Sequence, residues 1–259
     1  MNILHSIILG LVEGLAEFLP VSSTAHLILT SKVLQIPQTD FLKFFEVFIQ
    51  SGAIFAVLIL YYDQFIKGKN NFKNVMISFI PTAIIGLLLY KVIKKFFFSS
   101  DYLIIGALFV VGLVFILVEH FVKNKTLILD KSIEKISIKD ALIIGLCQSL
   151  AVIPGVSRAG SVIVTMMLLK YKREEAALYS FLLAIPTIFA ASGYDLLKTD
   201  FSTINQGNNL LLLAIGFVTS FISALLVVKW FIKYLQKNSL QSFGIYRIIL
   251  AAITLLFIK

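Results

Sequence analysis

The sequence predicts an all-α membrane protein with several spans, from its composition, its long apolar runs and a duplicated polar insert. Of the 259 residues, 59% are hydrophobic and only 14% are charged, and the mean hydropathy is +0.95. A soluble domain carries roughly a quarter charged residues. We therefore expect a polytopic helical protein, because a helix satisfies its own backbone hydrogen bonds in lipid.

Six apolar stretches are predicted to span the bilayer. Each approaches the ~20 residues that a helix needs to cross the hydrocarbon core. The six stretches are roughly Phe44–Tyr62, Val75–Val92, Tyr102–Phe121, Ala176–Leu196, Asn209–Trp230 and Phe243–Ile258.

Two further apolar segments are interrupted by polar residues, and each is predicted to form a re-entrant helix hairpin. The first, Ile3–Glu17, gives ~22 Å of helix and is shorter than the ~30 Å core. It meets Pro20 and a Ser-Ser-Thr run, which are helix break and N-cap signals, before a second short helix, about Thr24–Leu34. The same plan recurs in Lys139–Ile153, Pro154-Gly155 and Ser157–Leu169.

The two inserts also resemble each other in sequence. With one residue dropped from the second insert, Gly-Leu, Leu-Ala, Pro, Ser and Ala coincide. Each half of the chain then holds one hairpin and three crossings, so the second half is inverted relative to the first. We expect a first repeat at residues 1–122 (hairpin about 3–34), a charged linker at 123–138 and a second repeat at 139–259 (hairpin about 139–169).

The net charge of +9 is assigned to the membrane surface, and no nucleic-acid partner is expected. If both inserts are re-entrant, one side of the membrane receives about twice as many lysines and arginines as the other. If both cross, the split is almost even. The positive-inside rule therefore favours re-entrant inserts and places both termini outside.

The first insert carries two carboxylates on one helix face. Glu13 and Glu17 are four residues apart. At membrane depth, one of them takes a proton or a cation lies between them, and Mg²⁺ or Ca²⁺ prefers such oxygen ligands. The alternative is a pair of glutamates on a solvated helix end.

Hydroxyl groups and a histidine follow the break. Ser22, Ser23 and Thr24 open the second short helix, where free N–H groups suit an anion such as phosphate; the alternative is ordinary N-capping. His26 lies one turn after Ser23, and a Ser/His pair beside carboxylates is typical of an activated hydroxyl nucleophile. The alternative is a structural histidine.

The second insert supplies a positive charge. Ser157 and Arg158 follow Pro154-Gly155 at the matching break, and the planar guanidinium of Arg158 suits phosphate oxygens. The alternative partner for Arg158 is Glu13 or Glu17. Gly155 and Gln148 complete the predicted substrate contacts.

Five further residues in or beside the predicted spans are expected to line the cavity, to lie at the membrane interface or to shape a helix. Glu46 and Gln50 lie one turn apart and line the cavity or sit at the interface, and Arg247 snorkels near the end of the last span. Pro81 and Pro186, each in an Ile-Pro-Thr sequence, are expected to kink their helices without taking part in chemistry.

Together these residues predict a site for a lipid phosphate or diphosphate. The rival function is transport, because inverted repeats with broken helices are the usual plan of secondary transporters. A lipid-phosphate flippase would need the same anion site but no nucleophile.

The inserts also resemble the signatures of a known family. Residues 13–26, Glu-Gly-Leu-Ala-Glu-Phe-Leu-Pro-Val-Ser-Ser-Thr-Ala-His, closely resemble the first signature of the undecaprenyl-diphosphate phosphatase family, also called the bacitracin-resistance protein family. Residues 154–158, Pro-Gly-Val-Ser-Arg, resemble its second signature. Residues 45–52, 180–186 and 245–247 are similar to further family segments, so that the likeness covers essentially the whole chain.

The resemblance implies hydrolysis of undecaprenyl diphosphate to undecaprenyl phosphate and phosphate. That reaction recycles the lipid carrier for cell-wall synthesis and would confer bacitracin resistance. It implies a divalent cation, Mg or Ca, a bacterial cell-membrane location with the site open to the outer face, and leaves a homodimer open. The implied functional residues are Glu13, Glu17, Ser23, His26 and Arg158.

The sequence departs from the family pattern in three places. The second signature usually reads Pro-Gly-x-Ser-Arg-Ser-Gly-x-Thr, but Ala159 and Val162 stand at its last serine and its threonine. Ala25 stands where the first signature has glycine. The two lost hydroxyls bear on rate or substrate preference more than on reaction type, and Ser161 or Thr165 is the candidate to compensate.

Overall fold

The computed structural model describes residues 1–66, 69–92, 100–198, 204 and 206–257, with backbone only at 69–71, 90–92 and 257. Within these ranges the chain is helical, and its one β-bridge joins Lys131 to Tyr171. Ten α-helices have bounds in the described ranges: α1 Ile3–Ala16, α2 Ser23–Val33, α3 Asp40–Ile66, α4 Lys69–Val92, α5 Asp101–Lys123, α6 Ile138–Gln148, α7 Arg158–Leu168, α8 Arg173–Lys198, α9 Asn209–Leu235 and α10 Gln241–Phe257.

Five of these helices are long and apolar enough to cross a membrane. They are α3, α4 (over Phe72–Leu89), α5, α8 and α9. The sixth predicted span corresponds to α10, an apolar helix of 17 residues, and its predicted end at Ile258 lies outside the described residues. The all-helical architecture of a multi-pass membrane protein agrees with the prediction.

The two polar inserts form two similar helix pairs, α1–α2 and α6–α7. Helix α1 has 14 residues, and α2 and α7 have 11 residues each. Helix α6 continues into a 3₁₀ turn at Ser149–Val152, where the sequence predicts α-helix to Ile153. The polar segment between each pair of helices, together with the first residue of the second helix, is named here an elbow: residues 17–23 form the first elbow and residues 149–158 the second.

Each helix pair packs against the opposite half of the chain. Helix α1 lies along α9, and α6 lies along α4. Glycines permit this close approach, because a Cβ at Gly10 would come within 2.6 Å of the carbonyl oxygen of Gly216. A Cβ at Gly145 would likewise come within 3.0 Å of the Cα of Ser78. Helices α3 and α8, and helices α5 and α10, pack against each other.

The main apolar core surrounds α7 and α8 and includes the first elbow. Tyr179, Phe181 and Leu182 of α8 are fully buried. The ring of Phe18, in the first elbow, meets Phe181 edge to face with centroids 5.3 Å apart. This packing anchors the residue directly after Glu17 and so fixes the start of the elbow.

A buried carboxylate ties three parts of the chain together away from the elbows. Glu119 of α5 accepts two hydrogen bonds from Arg173 of α8, at 2.7 and 2.5 Å. It also accepts one from the backbone N–H of Leu240, just before α10, at 2.8 Å. The two charges are paired and the N–H is satisfied, as burial requires.

Candidate active site

The two elbows face each other across a cavity of about 760 Å³ including its mouth. Eight of the ten predicted site residues line it, and Glu13 and His26 do not. The lining also includes Gln50, Thr82 and Thr187 from three other helices. The predicted residues in the lining are Glu17, Ser22, Ser23, Thr24, Gln148, Gly155, Ser157 and Arg158.

The helix caps at the two elbows match each other in conformation. Ser22 and Ser157 have φ of 71° and 76°, a left-handed region that residues other than glycine rarely adopt. Each side chain caps its helix, accepting from Ala25 N–H at 3.4 Å and from Gly160 N–H at 3.1 Å. Ser157 therefore corresponds to Ser22, one residue away from the Ser23 with which the sequence alignment pairs it.

This correspondence places Ser23 and Arg158 at equivalent positions, each the first residue of its helix. The first N–H groups of a helix have no partner within the helix, and they carry the positive end of its dipole. Two such helix starts converge on one cavity, and this is a suitable arrangement for a phosphate group.

Glu17 joins the serine to the arginine. The hydroxyl of Ser23 donates a short hydrogen bond to Oε2 of Glu17. The Nη2 of Arg158 lies 3.4 Å from Oε1 of the same carboxylate. Arg158 also donates from Nη1 to the carbonyl oxygen of Ser180 at 2.9 Å, and its guanidinium lies 6.0 Å from the ring centre of Phe18. Glu17 is therefore placed to accept the proton of Ser23.

Glu13 lies one helical turn behind Glu17 and is fully buried. Neither of its carboxylate oxygens accepts a hydrogen bond from any donor in the described part of the chain. Its charged neighbours are Glu17, Glu46 and Arg158. Three carboxylates beside one guanidinium cannot all be ionised unless a cation balances them, and carboxylate oxygens without a hydrogen-bond donor are ligands that hard cations choose. Glu13 and Glu17 supply oxygen ligands of the kind that a divalent cation prefers, but the described residues contain no group of three or more His, Cys, Asp or Glu side chains arranged to hold a metal ion, so the cation stays a prediction.

His26 does not line the cavity, and its two ring nitrogens have partners other than Ser23. Its Nδ1 lies 2.8 Å from the carbonyl oxygen of Ser22, and its Nε2 lies 2.6 Å from the hydroxyl of Tyr246. Because a carbonyl oxygen only accepts, Nδ1 carries a proton and neutral His26 accepts the Tyr246 proton at Nε2. The two rings also stack, with centroids 5.7 Å apart. The structure does not bring His26 to the hydroxyl that it is predicted to activate.

Two cavity residues, Thr82 and Thr187, are absent from the sequence predictions. Each is the threonine of an Ile-Pro-Thr sequence, for which the sequence predicts a proline kink and no role for the threonine. The repetition of the tripeptide was the available signal. The side-chain nitrogen of Gln148 donates to Thr82 at 2.9 Å and to Thr187 at 3.3 Å.

Arg247 is fully buried and does not snorkel. It donates to the carbonyl oxygen of Pro20 at 3.0 Å, and to those of Gly155 (a short bond) and Val156 at 3.3 Å. A further bond reaches Ala107 at 3.4 Å. Arg247 therefore holds the first and second elbows together without lining the cavity itself, a role that no local sequence pattern indicated.

The departures from the second family signature lie away from the cavity. Ala159 and Val162 are fully buried in the main apolar core. The hydroxyls of Ser161 and Thr165 donate back along α7, to Ser157 at 3.0 Å and to Ser161 at 2.7 Å. Neither side chain lines the cavity, so neither compensates for the missing hydroxyls.

Comparison with known proteins gives one consistent result. The profile of the family described as bacitracin resistance protein BacA matches residues 6–253. A protein of Persephonella marina is 51% identical over 258 residues, covering all of both chains, and one of Aquifex aeolicus is 47% identical over 249 residues, covering 96% of each. A third, from Wolinella succinogenes, is 47% identical over 258 residues, covering 100% of this chain and 99% of the relative.

All three relatives carry the name undecaprenyl-diphosphatase, which agrees with the enzyme class predicted from the sequence. The matched region contains both elbows, the Ser23–Glu17–Arg158 contacts and Arg247. The family predicted from the two signatures is therefore confirmed: this chain belongs to the bacitracin resistance protein family.

Proposed function

We propose that this protein is a membrane phosphatase that hydrolyses undecaprenyl diphosphate to undecaprenyl phosphate and inorganic phosphate. The observation that carries the proposal is the contact of Ser23 and Arg158 with one carboxylate, Glu17, at the meeting point of two helix starts. The names of the relatives support the choice of substrate. Recycling of the lipid carrier, and with it bacitracin resistance, follows from that reaction.

In the proposed mechanism the terminal phosphate lies between the elbows. Arg158 and the N–H groups that begin α2 and α7 bind its oxygens and stabilise the charge that develops in the transition state. Ser23 attacks the terminal phosphorus while Glu17 takes its proton, and undecaprenyl phosphate leaves. The geometry favours Glu17 over His26 as the base. A water that attacks directly, with Ser23 only orienting it, is the mechanistic alternative.

Glu13 and Glu17 would hold the divalent cation, Mg²⁺ or Ca²⁺, through their carboxylate oxygens. When bound, the cation offsets negative charge on the substrate phosphates. Ser22, Thr24, Ser157 and Gly155 line the phosphate site beside it. Glu46 is a third carboxyl group near Glu13.

The proposed membrane arrangement has six spans and two re-entrant hairpins in an inverted repeat. Supporting it, α1 packs on α9 as α6 packs on α4, which is the exchange expected of two halves related by a two-fold axis. The repeats would be residues 1–122 and 139–259, joined by the linker at 123–138. The location would be the bacterial cell membrane, with the site open to the outer face.

The test is phosphate release by the purified protein in detergent, with undecaprenyl diphosphate and Mg²⁺ or Ca²⁺. We expect release that stops on chelation and returns with the cation. Absence of release from the wild type under both cations would overturn the proposal. Acid quenching during turnover separates the two mechanisms, because only attack by Ser23 leaves phosphate attached to the protein.

The second candidate is a lipid-phosphate flippase, favoured by the cross-packing of the two halves. A flippase needs the anion site but not the Ser23–Glu17 hydrogen bond. Reconstituted protein that moves the lipid between leaflets without releasing phosphate would establish this function in place of hydrolysis.

A further inference from the structure

Gln148 forms a separate polar wall of the cavity, together with Thr82 and Thr187. It ends α6 and is 1% exposed, while the two threonines come from α4 and α8. All three line the cavity that holds Ser23 and Glu17. The mechanism described above does not use this wall.

The hydrogen bonds of the two threonines fix the orientation of the Gln148 amide. Thr82 donates its hydroxyl proton to the carbonyl oxygen of Gly145 at 3.0 Å, and Thr187 donates to that of Leu183 at 2.7 Å. A hydroxyl has one proton, so both threonine oxygens can only accept from Gln148. The group that faces them, at 2.9 and 3.3 Å, is therefore the NH₂ and not the carbonyl oxygen.

This orientation leaves the amide oxygen of Gln148 without a hydrogen-bond donor in the described part of the chain. Within the described residues, Oε1 has no hydrogen-bond partner, although it is buried. Keeping a buried acceptor unpaired is costly, so a partner is expected from the cavity. An ionised phosphate offers only acceptor oxygens, and both N–H groups of Gln148 are already committed. The partner must be a donor, and in a polar cavity that donor is water.

We infer that Gln148 is a positioning residue that holds the water molecule required for hydrolysis, an inference that rests on the proposed phosphatase function. In that step the water oxygen forms a bond to the terminal phosphorus. The bond from phosphorus to its leaving oxygen breaks at the same time, and Glu17 takes the water proton and passes it to that oxygen. Where Ser23 is the leaving group, Glu17 can take this proton because it has already given the proton of Ser23 to the departing lipid phosphate, and Ser23 recovers its hydroxyl. Gln148 thus takes a different role from the phosphate contact predicted for it from the sequence.

The experiment measures which nucleophile receives the phosphoryl group. Wild type and variants are given undecaprenyl diphosphate in detergent with added methanol, and methyl phosphate and inorganic phosphate are both quantified. For Gln148→Leu we expect kcat to fall about tenfold, the effect of one lost hydrogen bond, with KM within about twofold. We also expect the ratio of methyl phosphate to phosphate to rise about tenfold, because Gln148 no longer orients water for attack and methanol then competes more effectively.

A double variant, Thr82→Val with Thr187→Val, keeps Gln148 but removes the acceptors that orient it. We expect the ratio of methyl phosphate to phosphate to rise by a smaller factor than in Gln148→Leu. If Gln148→Leu does not fold, an unchanged ratio in the double variant would overturn the role of Gln148. Thr254→Val is the matched control, because Thr254 makes the same kind of bond back along its helix, to Leu250 at 2.7 Å, outside the cavity. Its product ratio should equal that of the wild type.

The outcomes separate this inference from the proposed function. If the wild type releases no phosphate, the phosphatase function is wrong and the role of Gln148 falls with it. If the wild type is active and folded Gln148→Leu shows an unchanged product ratio, only the role of Gln148 is wrong. A rise in KM with unchanged kcat would also overturn it, because it would indicate a contact with the substrate.

Discussion

The first and second elbows share a backbone but differ in chemistry. Both begin a helix of 11 residues from a serine cap with positive φ. After the cap, the first elbow carries Ser23 and the second carries Arg158. Glu17 stands in the first elbow where Val152 stands in the second, and Glu13 corresponds to Gln148. Duplication thus explains the shared backbone of the two elbows. The side chains at equivalent positions differ, so each elbow contributes different chemical groups.

The difference shows why neither elbow is a complete site. Ser23 has its carboxylate partner on its own side, but the guanidinium that neutralises that carboxylate comes from the other elbow. Arg158 in turn would be a buried charge without an anion if the first elbow were absent. A site split in this way depends on the distance between the elbows, which Arg247 holds through carbonyl oxygens on both sides.

The largest effect is expected from removing the hydroxyl that only the first elbow has. Ser23→Ala should lower kcat by about 10³-fold or more if Ser23 is the nucleophile, measured as phosphate release at saturating substrate. Ser223→Ala is the control, because within the described residues that hydroxyl bonds only to carbonyl oxygens of α9, at 2.9 and 3.2 Å. Ser23→Ala with the rate of the wild type would mean that the first elbow does not carry the reactive group.

A smaller loss of activity is expected from replacing Arg158, which the second elbow contributes. Arg158→Lys keeps the charge but cannot reach Glu17 and the carbonyl oxygen of Ser180 together, as the guanidinium does. We expect kcat/KM to fall about 10²-fold, the range for loss of one group that stabilises developing charge. Arg173→Lys alters an arginine paired with Glu119 outside the cavity, and its rate should stay close to that of the wild type. Equal losses in both variants would indicate a general effect on folding.

Breaking the connection between the elbows should affect stability first. Arg247→Met removes the shared donor and leaves buried carbonyl oxygens of Pro20 and Gly155 without it. We expect the free energy of unfolding in detergent to fall by about 3 kcal/mol, the cost of such orphaned groups. Activity measured below the unfolding temperature should fall less than in Ser23→Ala. An unfolding temperature equal to that of the wild type would contradict the role of Arg247.

The sequence predicted the elements and most of the cavity because their signals are local. Apolar length, the Pro20 break and the Ser-Ser-Thr cap locate helices to within a few residues, and the matching inserts indicate that the elbows meet. Contacts between distant segments could not be predicted in the same way. Arg247 reaches Pro20 across 227 positions, and His26 turns to Tyr246 across 220. The one-residue error in pairing the serines arose because sequence identity, unlike φ, does not identify the cap.

The smallest effect on activity is expected where α7, the helix after the second elbow, departs from the family signature. Because Ala159 and Val162 are buried in the apolar core and do not line the cavity, hydroxyls there would not reach a phosphate between the elbows. Ala159→Ser with Val162→Thr should therefore leave kcat and KM within about twofold of the wild type. The same change buries two hydroxyls, which costs about 1–3 kcal/mol each if they find no partner, so the unfolding temperature should fall. A clear gain in activity would show that these positions face the substrate during turnover. The chemical difference between the two elbows would then also involve Ala159 and Val162, which do not line the cavity in this structure.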